Sequence, residues 1–171
     1  WLRSRWFVKE PHLRAVIGES LNGPFELDLC ADGPHGIIAG TTGAGKSALV
    51  RTLLLSLALS RSPADLGIVT VDFKGGTSLG RVNELPHVIG RVDDTDPRTA
   101  ARAIAGLRSE LTSRAKLLTS YGVTDLADLI GLTTLTADGR RVLPGGDPCP
   151  PRLLVVVDEF RAVAEDLPDF V

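Results

Sequence analysis

The sequence predicts an α/β domain in which a mostly parallel sheet is flanked by helices and carries a phosphate-binding loop. Three observations lead there. Short, almost wholly apolar runs such as G-I-V-T-V-D-F (Gly67–Phe73) and R-L-L-V-V-V-D-E-F (Arg152–Phe160) have the composition of strands buried on both faces. Helix-periodic segments alternate with these runs, as crossover connections of a parallel sheet require. Between one apolar run and one helix lies G-T-T-G-A-G-K-S (Gly40–Ser47), which satisfies G-x-x-x-x-G-K-[ST] in its required strand–loop–helix setting.

The elements follow in order. The first ten residues, W-L-R-S-R-W-F-V-K-E, read as an N-terminal arm. L-R-A-V-I-G (Leu13–Gly18) and P-F-E-L-D-L (Pro24–Leu29) read as two strands of a hairpin about S-L-N-G, the second alternating Phe25, Leu27 and Leu29 with Glu26 and Asp28. The arm and hairpin occupy residues 1–31, and the nucleotide-binding core occupies 32–171. G-I-I-A-G (Gly36–Gly40) is a short apolar run expected to enter the glycine loop as a strand. Lys46 to Ser60 is apolar nearly all round, which predicts a helix buried on most sides and ended by Ser62-Pro63. Leu85–Val92 reads as a short edge strand. Asp96 and Pro97 are an N-cap and first helical residue. Ile104, Leu107, Leu111, Ala115 and Leu118 then recur at helical spacing until Gly122 stops the helix. Asp138-Gly139 predicts a hairpin turn before a loop rich in proline and glycine.

Bulk properties narrow the function classes. The 171 residues suffice for one domain with a real core. The net charge of −2 gives no electrostatic footprint for nucleic acid, although a groove assembled from several subunits could still be locally basic. Cys30 and Cys149 stand far apart and make no C-x-x-C pattern, which reads as two unpaired thiols in a reducing compartment. No apolar run reaches the ~20 residues of a membrane span, and the N-terminus lacks a signal-peptide pattern.

The glycine loop carries the chemistry. Gly40, Gly43 and Gly45 allow the backbone of Thr41, Thr42, Gly43, Ala44, Gly45, Lys46, Ser47 and Ala48 to curl, with successive N–H groups turned inward at phosphates. The helix that starts near Lys46 adds its positive end. Lys46 is placed to reach the β- and γ-phosphates of ATP, and the Ser47 hydroxyl to ligate Mg²⁺. A second block, L-L-V-V-V-D-E-F, delivers Asp158 to the carboxyl end of a buried strand, where parallel sheets bind ligands. Asp158 is the second expected Mg²⁺ ligand. Glu159 beside it is the expected general base on the attacking water, which favours hydrolysis over binding alone. His35 and His87 each follow a proline and read as loop histidines. Arg81, Arg91, Arg98 and Arg102 are arginines that could act in trans, and the sequence does not rank them.

With G-P-H-G-I-I-A-G-T-T-G-A-G-K-S, V-D-F-K-G-G, E-L-P-H-V and L-L-V-V-V-D-E-F in this order, the chain from about Phe25 onward resembles an FtsK/SpoIIIE-type ATPase domain. The resemblance implies a RecA-like core, a homo-hexameric ring and motor work on a polymer. DNA translocases of this family tend to carry D-P-K where this chain has D-F-K-G-G (Asp72–Gly76). That block is similar to the EccC-type ATPases of type VII (ESX) protein secretion, which implies secreted substrate proteins and other secretion subunits as partners. It also implies a location on the cytoplasmic side of the bacterial inner membrane, with any membrane segment outside this chain. A double-stranded DNA translocase, and a nucleotide-bound recruiting module with little hydrolysis, are the alternatives. The family pattern continues past L-P-D-F-V with a helix and a further core strand, so the core is expected to be incomplete at its C-terminal end.

Overall fold

In a computed structural model, which describes Trp6 and residues 12–72, 78–93, 97–158 and 160, the expected hairpin forms. Strands β1 (Arg14–Ser20) and β2 (Gly23–Asp28) pair antiparallel, and Gly23 takes a φ of 113° at the turn. Only glycine occupies that backbone region without strain. Helix α1 (Lys46–Ser60) packs on β1, and the Ser56 Oγ accepts the Val16 N–H at 2.8 Å. Its buried stripe is narrower than the composition suggests: Leu54, Leu57 and Ala58 are buried, whereas Leu49, Leu55 and Leu59 are exposed. One helix face packs on a two-stranded hairpin, and a hairpin covers one face only.

Asp28 closes this unit. Its carboxylate accepts the N–H groups of Leu13 (3.3 Å), Cys30 (2.9 Å) and Ala31 (3.3 Å) and the Arg14 Nε–H (3.3 Å), and it lies 2.7 Å from His12 Nδ1. Arg61, one residue past α1, donates to the His12 carbonyl, so the hairpin base and the helix end are tied together. Burial by itself would raise the Asp28 carboxyl. The Cys30 and Ala31 amides, the Arg14 guanidinium and the His12 charge outweigh it and bring the pKa down from 3.8 to about 2. A carboxyl depressed in the folded state contributes stability above its unfolded value that is lost as pH falls through the folded one. Denaturant midpoints should therefore fall between about pH 4 and pH 2, and Asp28→Asn should flatten that dependence while lowering the midpoint at neutral pH. An unchanged slope would show that Asp28 is not a linkage group.

Contacts divide the chain at Pro63/Ala64, and the second unit holds the sheet. Strands β3 (Leu66–Asp72), β4 (Val88–Asp93) and β7 (Arg152–Asp158) are all parallel, in the order β4-β3-β7. Every residue of β3 is buried, as its central place and largely apolar run require, and Thr70 and Asp72 are buried with the rest. The expected edge strand is β4, entered through a short 3₁₀ turn at Gly80–Glu84. Helix α2 (Pro97–Ser120) begins at the expected proline, and Gly122 (φ 68°) ends it. Asp96, its expected cap, lies outside the described residues. Ala103 and Leu107 of α2 pack on Val69, Val71 and Val92, together with Leu153 and Val157.

Helix α3 (Leu126–Gly131) is capped by Asp125, whose side chain accepts the Asp128 N–H at 2.8 Å. The hairpin predicted at Asp138-Gly139 is present as β5 (Thr134–Leu135) and β6 (Arg141–Val142). Leu129, Ile130, Leu143 and Cys149 form a second small core here, bordered by Leu117, Leu118 and Tyr121.

One expected element is absent. Gly36–Gly40 is not a strand, and Ile37 is 93% exposed. A strand exists only where a neighbour shares its ladder, and no described segment pairs with residues 36–40. Apolar composition supplies the tendency but not the partner.

Candidate nucleotide-binding site

The glycine loop has the backbone a phosphate needs. Gly43 and Gly45 take φ values of 81° and 88°, and the Ala44 N–H closes a tight turn on the Thr41 carbonyl at 3.1 Å. Gly40 is needed for space instead: a Cβ there would lie 3.2 Å from the Ala44 Cβ and 3.7 Å from the Lys46 Cγ. Gly45 is the N-cap of the fifteen-residue helix α1, and no side chain caps that end. Helices commonly satisfy their first N–H groups with a Ser, Thr, Asp or Asn side chain. Here they are left for an external acceptor, with no acidic residue in the first turn to repel an anion. Thr41–Gly45 and Ala48 are exposed, while Lys46 and Ser47 are half-buried. The residues present therefore fit a polyphosphate.

Lys46 lies across its own loop. Its Nζ donates to the Gly40 carbonyl at 3.0 Å and the Thr41 carbonyl at 3.1 Å, which holds the ammonium at the mouth of the cradle. Ser47 sits on the first turn of α1, with its carbonyl accepting the Arg51 Nε–H at 3.2 Å.

Asp158 is the last residue of β7, half-buried, at the carboxyl end of the sheet. It belongs to the second unit, and the glycine loop to the first. Glu159 lies outside the described residues. The register adds something the sequence did not single out as a site: Asp158 pairs with Asp72 of β3, and Asp72 pairs with Asp93 of β4. Three strands thus end on aspartates in one row. Asp72 is only 2% exposed, and its Oδ2 accepts from the Ser78 hydroxyl at 2.6 Å and the Ser78 N–H at 3.3 Å. The signal was the repeated strand-terminal aspartate, in V-T-V-D, G-R-V-D and V-V-V-D. Among the described residues, no three His, Cys, Asp or Glu side chains converge as an all-protein metal cage. Mg²⁺ bound through one or two carboxylates plus substrate phosphates needs no such cage.

His87 is buried at 2% exposure, and its carbonyl accepts the Ile68 N–H, a strand-entry role. His35 is exposed. Arg81, Arg91, Arg98 and Arg102 are all on the surface. Lys74, Gly75 and Gly76 lie outside the described residues. Among the described residues, no helix is long and apolar enough to cross a membrane.

Comparison with known proteins agrees with this geometry. The model of the FtsK/SpoIIIE family matches residues 3–162. The chain is 35% identical over 154 residues to the ESX secretion system protein EccC of Geobacillus thermodenitrificans, covering 88% of this chain and 10% of that protein. It is 33% identical over 173 residues to the type VII secretion system protein EssC of Staphylococcus aureus, covering 98% of this chain and 11% of that protein. The chain therefore spans about a tenth of the length of the curated relatives it matches. Among solved structures, it superposes on the cytoplasmic domain of the Thermomonospora curvata type VII secretion ATPase EccC with a TM-score of 0.78 and 32% identity. That match covers 99% of this chain and 20% of the other. ATPases 2 and 3 of the same EccC, solved in complex with a signal sequence peptide, match with a TM-score of 0.74 and 27% identity over 94% of this chain and 28% of that one.

Proposed function

The chain belongs to the FtsK/SpoIIIE family, and from that premise we propose that it is an ATP-hydrolysing motor domain of a type VII secretion ATPase. The observation that carries the proposal is the uncapped N-terminus of α1 behind a glycine loop, in a chain whose relatives are EccC and EssC. Thr41, Thr42, Gly43, Ala44, Gly45, Lys46, Ser47 and Ala48 hold the phosphates through backbone N–H groups. Lys46 leaves its two carbonyl partners for the β- and γ-phosphate oxygens. Ser47 and Asp158 hold Mg²⁺, which when bound neutralises charge developing on the phosphate oxygens. Glu159 orients the attacking water and takes its proton.

The partners we propose are the signal sequences of secreted proteins, because the related EccC was solved with a signal sequence peptide. The working form is a homo-hexamer with other secretion subunits, at the cytoplasmic side of the inner membrane. The test uses the full-length protein. ATP turnover should rise on adding a secretion signal peptide and stay flat on adding double-stranded DNA at low salt. Stimulation by DNA that falls steeply with salt would instead assign a DNA translocase.

A further inference from the structure

Helix α1 follows the glycine loop at one end and is tied to upstream residues of its unit at the other. Half-buried Trp6 donates its Nε1–H to the Ala58 carbonyl at 3.3 Å. Ser56 Oγ accepts the Val16 N–H of β1 at 2.8 Å, and Arg61 donates to the His12 carbonyl. These ties fall at residues 56–61, in a helix that runs Lys46–Ser60. The first two turns bond differently. Lys46 donates to the Gly40 and Thr41 carbonyls, Arg51 to that of Ser47 and Thr52 to that of Ala48, so these bonds stay within the loop and the helix. Ala48, Leu49, Arg51 and Thr52 are exposed. Ser56 is also the polar residue that interrupts the apolar run Leu53–Leu59.

We propose that Trp6 and Ser56 are positioning residues for the phosphate loop: by holding the far end of α1, they set where its first N–H groups stand and how tightly Gly40–Ser47 grips a phosphate. The proposal rests on the reading of that loop as a nucleotide cradle. A helix rises about 1.5 Å per residue, so Ala58 lies about 20 Å from Gly45 along a stiff hydrogen-bonded rod. A shift at the tied end is therefore carried to the loop. There the contacts are backbone N–H groups, whose hydrogen bonds weaken steeply with misalignment. Such coupling is reciprocal. A tie that strengthens the grip on phosphate is itself strengthened by phosphate, by the same factor.

The test is peptide-resolved hydrogen exchange on the full-length protein, titrated with the non-hydrolysable ATP analogue AMP-PNP. The concentration that protects the Lys46–Val50 amides reads affinity at this site alone. Trp6→Phe, which keeps an aromatic ring without the N–H, should raise that concentration about fivefold, the low end for coupling between two sites. Ser56→Ala should do the same, and Ser56→Thr, which keeps the hydroxyl, should match the wild type. Ser60→Ala is the control: its hydroxyl bonds only to the Leu57 carbonyl of the same helix end, so its loss should leave the affinity as it was. In the wild type, saturating AMP-PNP should slow exchange of the β1 amides by the same factor that Ser56→Ala costs in affinity. A wild-type affinity in Trp6→Phe or in Ser56→Ala overturns the proposal. So does equal weakening in Ser60→Ala, which would mean general fraying of the helix end. Absence of any protection of Lys46–Val50 in the wild type would remove the nucleotide reading and the proposal together.

Discussion

Replacing Lys46 by alanine in the full-length protein should lower ATP turnover by about 10²–10³-fold, the scale seen when one fixed donor to a developing charge is removed. The ammonium rests on the Gly40 and Thr41 carbonyls, 3.0 and 3.1 Å away. It is the only cationic side chain in the Gly40–Ser47 loop. In P-loop enzymes the loop lysine reaches the β- and γ-phosphates, so its charge counts most where the γ-phosphate oxygens gain negative charge. Lys46→Arg should not restore turnover: a planar, forked guanidinium cannot take the place of a compact ammonium in so tight a loop. Glu159→Gln should give a different signature, with turnover lost and ATP binding kept, because it removes a base and not a phosphate contact. Single-turnover kinetics with a nucleotide-binding titration separates the two. Unaltered turnover in Lys46→Ala would remove that residue from the site, and unaltered turnover in Glu159→Gln would remove the base.

The parts of this molecule legible in its sequence are those fixed by local chemistry. β3 showed as an apolar run because a strand covered on both faces has no polar side, and β7 showed by the same composition although its residues are half-buried and Val155 is exposed. α2 showed through Pro97 and Gly122, and the β5–β6 turn through Asp138-Gly139, because those residues set their own backbone angles. The glycine loop was legible for the same reason. Pairing between distant residues was not. Gly36–Gly40 carries strand composition without a described strand partner, so its expected strand does not appear. The buried surface of α1 was overestimated, since composition cannot say how many faces a helix will find covered. Asp28 read as the polar side of a hairpin strand, whereas it gathers donors from both sides of the hairpin base. Asp72 read as a strand end, and only the β3–β7 register puts it beside Asp158. A shift of one residue in that register would send the two carboxylates to opposite faces.

At the other end of that register stands the buried pair Arg141–Asp65, 76 residues apart in sequence. Arg141 Nε meets Asp65 Oδ1 at 2.6 Å, with the two side chains 6% and 7% exposed. The Asp65 carbonyl accepts the Arg152 N–H at 2.9 Å, where β7 starts beside β3. The Arg141 carbonyl accepts the Cys149 N–H at 2.9 Å, within the loop that leads into β7. Asp65→Ala should destabilise the domain by about 3–5 kcal/mol, because it takes the carboxylate away from a guanidinium in a space that water barely reaches. The ion pair itself is worth much less than that cost, since burying two charges offsets most of their attraction. The double variant Asp65→Leu/Arg141→Met should therefore recover most of the loss. Denaturant unfolding of the domain, with hydrogen exchange of the β3 amides, measures both changes. Equal destabilisation in single and double variants would mean that the pair acts through its specific geometry, and that β3 and β7 need this bridge to begin in register. Recovery in the double variant, with ATP turnover intact, would place the register in the apolar packing of Val69 and Val71 against Leu153 and Val157.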